Sequence, residues 1–270
     1  MFDWPLLNTG TNLVGVPPGL IGSVDFNEHA VRLRIHGTRE SALGLFKVLD
    51  TVSDLQEASD VFRHFMSITF GLRPDPDARN RAEQLRWKSS YLKVLEGWGF
   101  DSNSPQGSVL KGWVESRFGL APTFHHELLD HYPSAAWMRY IEEKYTSRFH
   151  NNNINQQLDL LFEFCQWCAR RFGLPARTRI KVWRGVNNLR EHRLLAGSLR
   201  ERECVLLLNN LNSFALSREK AEMFGDWILE TDVPVQKLLF FPGLLGKSLL
   251  AGESEVIALG GAYRVKASYV

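Results

Sequence analysis

The sequence predicts an α+β fold in which a mostly helical part, residues 1–175, precedes a mostly antiparallel β core, residues 176–270. Three observations predict it. Apolar residues recur at helical spacing as far as Gly173. After Thr178 the chain changes to short runs of Val, Ile, Leu and aromatic residues separated by turn residues. Only one convincing helical segment interrupts those runs, so the helices come first and the sheet follows.

The helices are justified in order by stripe and cap. In DLQEASDVFRHFMSITFGL, Leu55, Ala58, Val61, Phe62, Phe65, Ile68 and Thr69 share one face. Ser53 with Gln56 fits a capping box there, and Gly71 a stop. DARNRAEQLRWKSSYLKVLEGWG reads as a basic-faced helix. SPQGSVLKGWVESRFG has Ser104 as N-cap, Pro105 in the first helical position and Gly119 at the end. SAAWMRYIEEKYTSRF adds another helix. In QLDLLFEFCQWCARRFGLP, Leu158, Leu161, Phe162, Cys165, Cys168, Ala169 and Phe172 form a stripe that Gly173 and Pro175 bring to an end. Beyond Thr178, RIKVWRGV, CVLLLNNLNSF, DWILETDVP, QKLLFFPG, SEVIALGG and YRVKASYV read as strands. REKAEMFG is the interrupting helix, with Ser217 as its N-cap.

Composition narrows the class of function. A chain of 270 residues, 44% hydrophobic and 23% charged, is ordinary for a soluble globular protein. Its 32 basic and 30 acidic residues leave a net charge of +2, too little for a general nucleic-acid-binding field. No apolar stretch approaches the roughly 18 residues that span a bilayer, and MFDWPLLNTG lacks the basic and apolar regions of a signal peptide. A cytoplasmic protein without a membrane span is the expectation. Three cysteines, Cys165, Cys168 and Cys204, make no disulfide framework, which fits a reducing compartment.

Several motifs lead nowhere. Cys165 and Cys168 lie on a buried stripe with no second pair, so they read as core rather than as zinc ligands. HHELLDH gathers His125, His126 and His131 with Glu127 and Asp130, but the spacing matches no His-x-x-x-His face, and the stretch reads as a polar loop between helices. No metal site is expected. Gly246-Lys247-Ser248 resembles the end of a phosphate loop, yet Phe241 stands where that loop needs glycine and Pro242 removes an amide donor. No dinucleotide fingerprint follows a strand, and no nucleophile elbow occurs.

The residues that carry chemistry are fewer. In a strand, Glu253 and Glu255 project to the same face, where two like charges repel; a solvated strand end also tolerates this. Arg184 lies inside the apolar run KVWRGV, where a guanidinium needs an anionic partner or a cleft. NNLNSFALS supplies Ser213 and Ser217, with Asn209, Asn210 and Asn212 nearby, between a strand and a helix. Turn and cap chemistry is the plainer reading of these.

An Arg on one strand, serines ending the next and Glu-x-Glu opening a later one resemble the Arg, Ser, Glu signature of ADP-ribosyltransferases. NLVGVPPGLIGSVDFN, YLKVLEGWGFDSN, VLKGWVESRFGL and SLLAGESEVIALGGAYRVK extend the resemblance along nearly the whole chain. There it is to the NAD-dependent dinitrogen-reductase ADP-ribosyltransferases of nitrogen-fixing bacteria.

The resemblance implies an ADP-ribosyltransferase-like β core that uses NAD as co-substrate. It also implies a role for each residue. Arg184 would hold a phosphate of NAD and the adjacent ribose, and Gly185 would admit the cofactor close to the backbone. Glu255 would be the catalytic glutamate, bonding a hydroxyl of the nicotinamide ribose and stabilising positive charge as nicotinamide departs. Glu253 would attract an acceptor arginine and take its proton. Ser213 or Ser217 would orient the cofactor, with Phe214 stacking near nicotinamide; the family's usual Ser-Thr-Ser is replaced here by Ser213-Phe214-Ala215-Leu216-Ser217. The implied partners are the nitrogenase iron protein as substrate, modified so that nitrogen fixation is switched off, and a PII-type nitrogen signalling protein as regulator. The basic face of Arg79, Arg81, Arg86 and Lys88 is a docking surface to test. The same site could serve another target or hydrolyse NAD, and a non-catalytic nucleotide- or partner-binding module is the alternative of a different class.

Overall fold

The computed structural model describes residues 12–72, 89–173, 178–199, 203–246 and 255–270. The helices among them are α1 (Pro18–Ile21), α2 (Val24–Glu28), α3 (Thr38–Ser41), α4 (Leu43–Leu49), α5 (Leu55–Phe70), α6 (Tyr91–Phe100), α7 (Pro105–Phe118), α8 (Ala135–Thr146), α9 (Asn152–Arg171) and α10 (Arg218–Ala221). A small hairpin, β1 (Phe124–His125) and β2 (Glu127–Leu128), lies between α7 and α8. The main sheet comprises β3 (Arg179–Val186), β4 (Arg193–Gly197), β5 (Glu203–Ala215), β6 (Trp227–Pro234), β7 (Leu238–Phe240) and β8 (Glu255–Tyr269). Its order is β4-β5-β3-β6-β8-β7, with β5 also paired to β8, and each of its pairings is antiparallel. The mixed helix and antiparallel sheet is the α+β fold that the sequence predicts. Among the described residues no helix is long and apolar enough to cross a membrane.

Caps set most helix starts. The Ser104 hydroxyl accepts from Gly107 N, Pro105 opens α7, and Gly119 closes it with a left-handed backbone. Two sequence expectations are corrected by capping. The α5 cap is Asp54, whose carboxylate accepts from Glu57 N while Glu57 accepts from Ser53 N; Ser53 and Gln56 do not form the box. The basic-faced helix does not run unbroken, because Ser90 caps α6 and the chain is extended there; residues 73–88 lie outside the described set.

α9 is wrapped on all sides, which its polar residues conceal in the sequence. Leu160, Phe164 and Trp167 are buried together with the predicted stripe. Each buried polar group along it has a defined partner. Gln157 accepts from Tyr91 N, and Asp159 accepts from Trp113 Nε1 and the Arg117 guanidinium. Glu163 accepts from Ile35 N and Arg39, and Gln166 donates to the carbonyls of Val235 and Leu238. The thiols of Cys165 and Cys168 sit in this core, pushed up by burial. A single apolar cluster therefore joins helices and sheet, from Val14 and Phe62 to Leu238 and Ala267.

In the sheet, SEVIALGG and YRVKASYV form one strand rather than two. β8 runs through Gly260 and Gly261 because β5 bulges opposite them, between Leu208 and Leu211. A Cβ on Gly260 would lie 1.5 Å from Asn209 O, so only glycine fits against the bulge. Asn209, Asn210 and Asn212 are thus mid-strand rather than turn residues. Asn210 Nδ2 donates to Lys111 O and Leu120 O, and Asn209 ties Thr123 N and Phe124 O, fastening the sheet to the end of α7 and the hairpin.

Lys237 is fully buried, donating to Gly260 O at 3.0 Å beneath the rings of Phe26 and Tyr263. Burial holds its amine well below the ordinary 10.5. The unfolded chain then binds more protons than the folded one as pH rises toward 10.5, so this residue makes stability increase with pH in that window. Lys237→Met should raise the urea unfolding midpoint near neutral pH and flatten the gain seen on moving toward pH 10, compared with wild type. An unchanged slope would show that Lys237 is not the source.

Candidate active site

Register brings the charged residues together. Ala215, the last residue of β5, pairs with Trp183 of β3 on one side and with Glu255 of β8 on the other. The sheet closes at that point: β5, β8, β6 and β3 each pair with the next, and β3 returns to β5. Arg184, next to Trp183, and Glu255 therefore meet across the end of β5. A cleft of about 460 Å³ opens there. Its floor is Trp183, Arg184, Gly185, Ser213, Phe214, Ala215 and Glu255. One wall is the end of α6, with Trp98, Phe100 and Ser102; the other is α10 and its exit, with Lys220, Ala221, Met223 and Phe224.

Arg184 is held by few groups. Its Nη1 donates to Ser213 O at 2.8 Å, and its Nε is buried with no hydrogen-bond partner among the described residues. Burial lowers the guanidinium's pKa, and the charges of Glu191 and Glu255 oppose that shift. His192, buried beside this cluster, is driven to about 3 by burial and by Arg184, so it stays neutral. Both its ring nitrogens lack a partner among the described residues. Lys111 lies close enough for its amine to feel Arg184, and burial brings that amine down to about 7.

The two serines separate. Ser213 lines the cleft, and its hydroxyl accepts a 2.8 Å hydrogen bond from Trp98 Nε1. Ser217 is absent from the lining and caps α10, accepting from Lys220 N. The ring of Phe214 is buried and tilted against Tyr263, 6.4 Å between centroids. Exposed apolar surface at the cleft comes instead from Phe100 (94% exposed), Met223 (81%) and Phe224 (63%). Gly185 has a packing reason: a Cβ there would lie 2.0 Å from Ala221 O, so glycine is what lets α10 lie on β3. Glu253 lies outside the described residues, as do Arg79, Arg81, Arg86 and Lys88.

Sequence reasoning missed Trp98, Phe100, Glu191, His192, Met223 and Phe224. The aromatic residues bracketing Gly99 in GWGF and the Met-Phe pair ending REKAEMFG were the available signals. Nothing local marks Glu191 or His192, which matter only through the folding of β3 and β4 around them.

A mixed fold whose antiparallel sheet closes beside a half-buried arginine and opens a strand with a glutamate is of the ADP-ribosyltransferase-like class. The model of the dinitrogenase reductase ADP-ribosyltransferase (DRAT) family matches residues 11–267. The NAD(+)–dinitrogen-reductase ADP-D-ribosyltransferase of Rhodospirillum rubrum is 47% identical over 271 residues, covering 99% of this chain and 98% of that protein. The chain belongs to the DRAT family. No solved structure matches it.

Gly185→Ala, measured with no ligand present, should cost roughly 1–3 kcal/mol in urea unfolding because α10 must move off β3. Unchanged stability would mean that the glycine is there for a ligand alone.

Proposed function

We infer that this chain is a mono-ADP-ribosyltransferase that moves ADP-ribose from NAD to dinitrogenase reductase, the nitrogenase iron protein. The observation that carries the reading is the full-length similarity to a protein of that name, in a chain whose fold offers a cleft suited to the reaction.

The cleft suits NAD because its lining sets the Arg184 guanidinium beside exposed apolar surface at Phe100, Met223 and Phe224. NAD supplies the ADP-ribose and releases nicotinamide. Arg184 holds a phosphate and its ribose through the guanidinium protons not taken by Ser213 O. Ser213 is the orienting serine in this reading: its oxygen accepts from Trp98, which leaves its own proton to donate to the ligand. Ser217 keeps to its cap. Phe214 is committed to the core, so Phe100 or Phe224 takes the stacking role.

Glu255 starts β8 at the cleft floor, where its carboxylate bonds a ribose hydroxyl and stabilises the positive charge that grows on the sugar. Glu253, two residues earlier, attracts the acceptor guanidinium and takes its proton. That pairing makes arginine the acceptor, since a guanidinium with a pKa above about 12 is a poor nucleophile until it is positioned and deprotonated. The same reading places the protein in the cytoplasm under the control of a PII-type signalling protein. It assigns residues 1–175, apart from the end of α6 that walls the cleft, to docking and residues 176–270 to NAD chemistry.

With adenylate-labelled NAD and iron protein, label should appear on an arginine of the iron protein. It should fall by roughly 100-fold or more in Glu255→Gln. Glu253→Gln should lose transfer while keeping more of the NAD hydrolysis measured without acceptor. Full labelling by Glu255→Gln would refute the mechanism, and equal loss of both activities in Glu253→Gln would refute its acceptor role. Charge reversal at Arg81 and Arg86 should weaken labelling of the iron protein if that stretch docks it; unchanged labelling sinks the docking role.

A further inference from the structure

The hairpin β1–β2 does something that the HHELLDH spacing hides. His125 pairs with Glu127, leaving His126 alone at the tip. Its φ of 58° is left-handed, uncommon for any residue but glycine. Adjacent side chains in a strand leave on opposite faces, but this turn brings the His126 ring to within 4.7 Å of the His125 ring, centroid to centroid. Both rings reach one carboxylate on α8: His125 Nε2 is 2.9 Å and His126 Nε2 3.4 Å from Glu143 Oε2. The three ligand atoms all lie within 4.8 Å of one another. His131 points elsewhere, to Asp130.

We propose that His125, His126 and Glu143 form a binding site for one divalent transition-metal ion of the zinc class. Two imidazoles and a carboxylate are the ligand set of open zinc sites, where water fills the remaining position. A tetrahedral ion with bonds of about 2.0–2.1 Å sets its donor atoms roughly 3.3 Å apart, and the two nitrogen-to-carboxylate separations here, 2.9 and 3.4 Å, lie close to that. The His126 side chain is 45% exposed and that of Glu143 22%, so the ion has an entry path and room for water.

The surroundings hold the ligands in place. His125 Nδ1 lies 3.0 Å from Lys111 Nζ, which also contacts Asn103 Oδ1 and Phe124 O. Asn103 Oδ1 accepts from His126 N as well, fixing the tip of the turn. These contacts fix the His125 ring and the backbone of the turn. Asn103 adjoins Ser102 of the cleft wall.

The test uses the purified full-length chain stripped by chelator and titrated with Co²⁺, then Zn²⁺. One equivalent of Co²⁺ should bind with the visible absorption of a low-coordinate site, and Zn²⁺ should displace it. His126→Asn, which keeps a residue tolerant of left-handed backbone, and Glu143→Gln should each weaken binding at least about 10-fold. Zn²⁺ should raise the melting temperature of the wild type and leave that of His126→Asn unchanged. No uptake at micromolar ion would overturn the site, as would equal uptake and equal thermal shift in wild type and variants.

Discussion

Gln157, Asp159, Glu163 and Gln166 are taken out of water on a single helix, and a polar group so placed costs free energy unless it is matched. The matches lie on different parts of the chain: the first amide of α6, two side chains of α7, the segment before α3, and two carbonyls leading into β7. α9 can therefore be buried only if all four arrive in register. That requirement orders the helices relative to the sheet more tightly than apolar contact would, because hydrogen bonds are directional and dispersion is not. Its consequence reaches the cleft. Gln157 fixes where α6 begins, and two turns later Trp98 meets Ser213.

The cleft has its own constraint. Arg184 gives up water at the closing point of the sheet, and one carbonyl with the charges of Glu191 and Glu255 is modest compensation. A packed core would gain more from an apolar residue at that position. The arrangement makes physical sense where an anionic ligand completes the site, since binding then recovers part of the desolvation already incurred in folding. His192, held neutral nearby, adds no competing charge.

Much of this was legible in the sequence where the signal is local. Caps at Ser104, Pro105, Gly119 and Ser217 and the bounds of β3 follow from residue type and period. The misreadings share a cause, namely that partners distant in sequence decide the outcome. α9 reads as amphipathic because its polar residues look solvated; their partners are 66 to 128 residues away where they are Tyr91 and Ile35. The choice between Ser213 and Ser217 needs Trp98, which is 115 residues from Ser213. The two histidines of the hairpin needed Glu143 and a left-handed turn at His126, neither visible in their spacing. Arg184 and Glu255 stood out because a charge inside or opening an apolar strand is anomalous by itself.

The walls of the cleft narrow what can fill it. Phe100, Met223 and Phe224 leave apolar surface in water around a cationic floor, and that combination is unfavourable until something covers it. A simple anion would compensate the Arg184 guanidinium and leave the rim wet; a purely apolar ligand would cover the rim and leave that charge poorly compensated. A molecule with both phosphate and flat rings, such as a dinucleotide, answers both demands. In the proposed reading the acceptor side chain enters beside Glu255, past this apolar rim. Exclusion of water matters because a sugar cation captured by water gives hydrolysis instead of transfer. In that reading, ligand and acceptor together cover the exposed rim, and that cover is what lets transfer compete with hydrolysis.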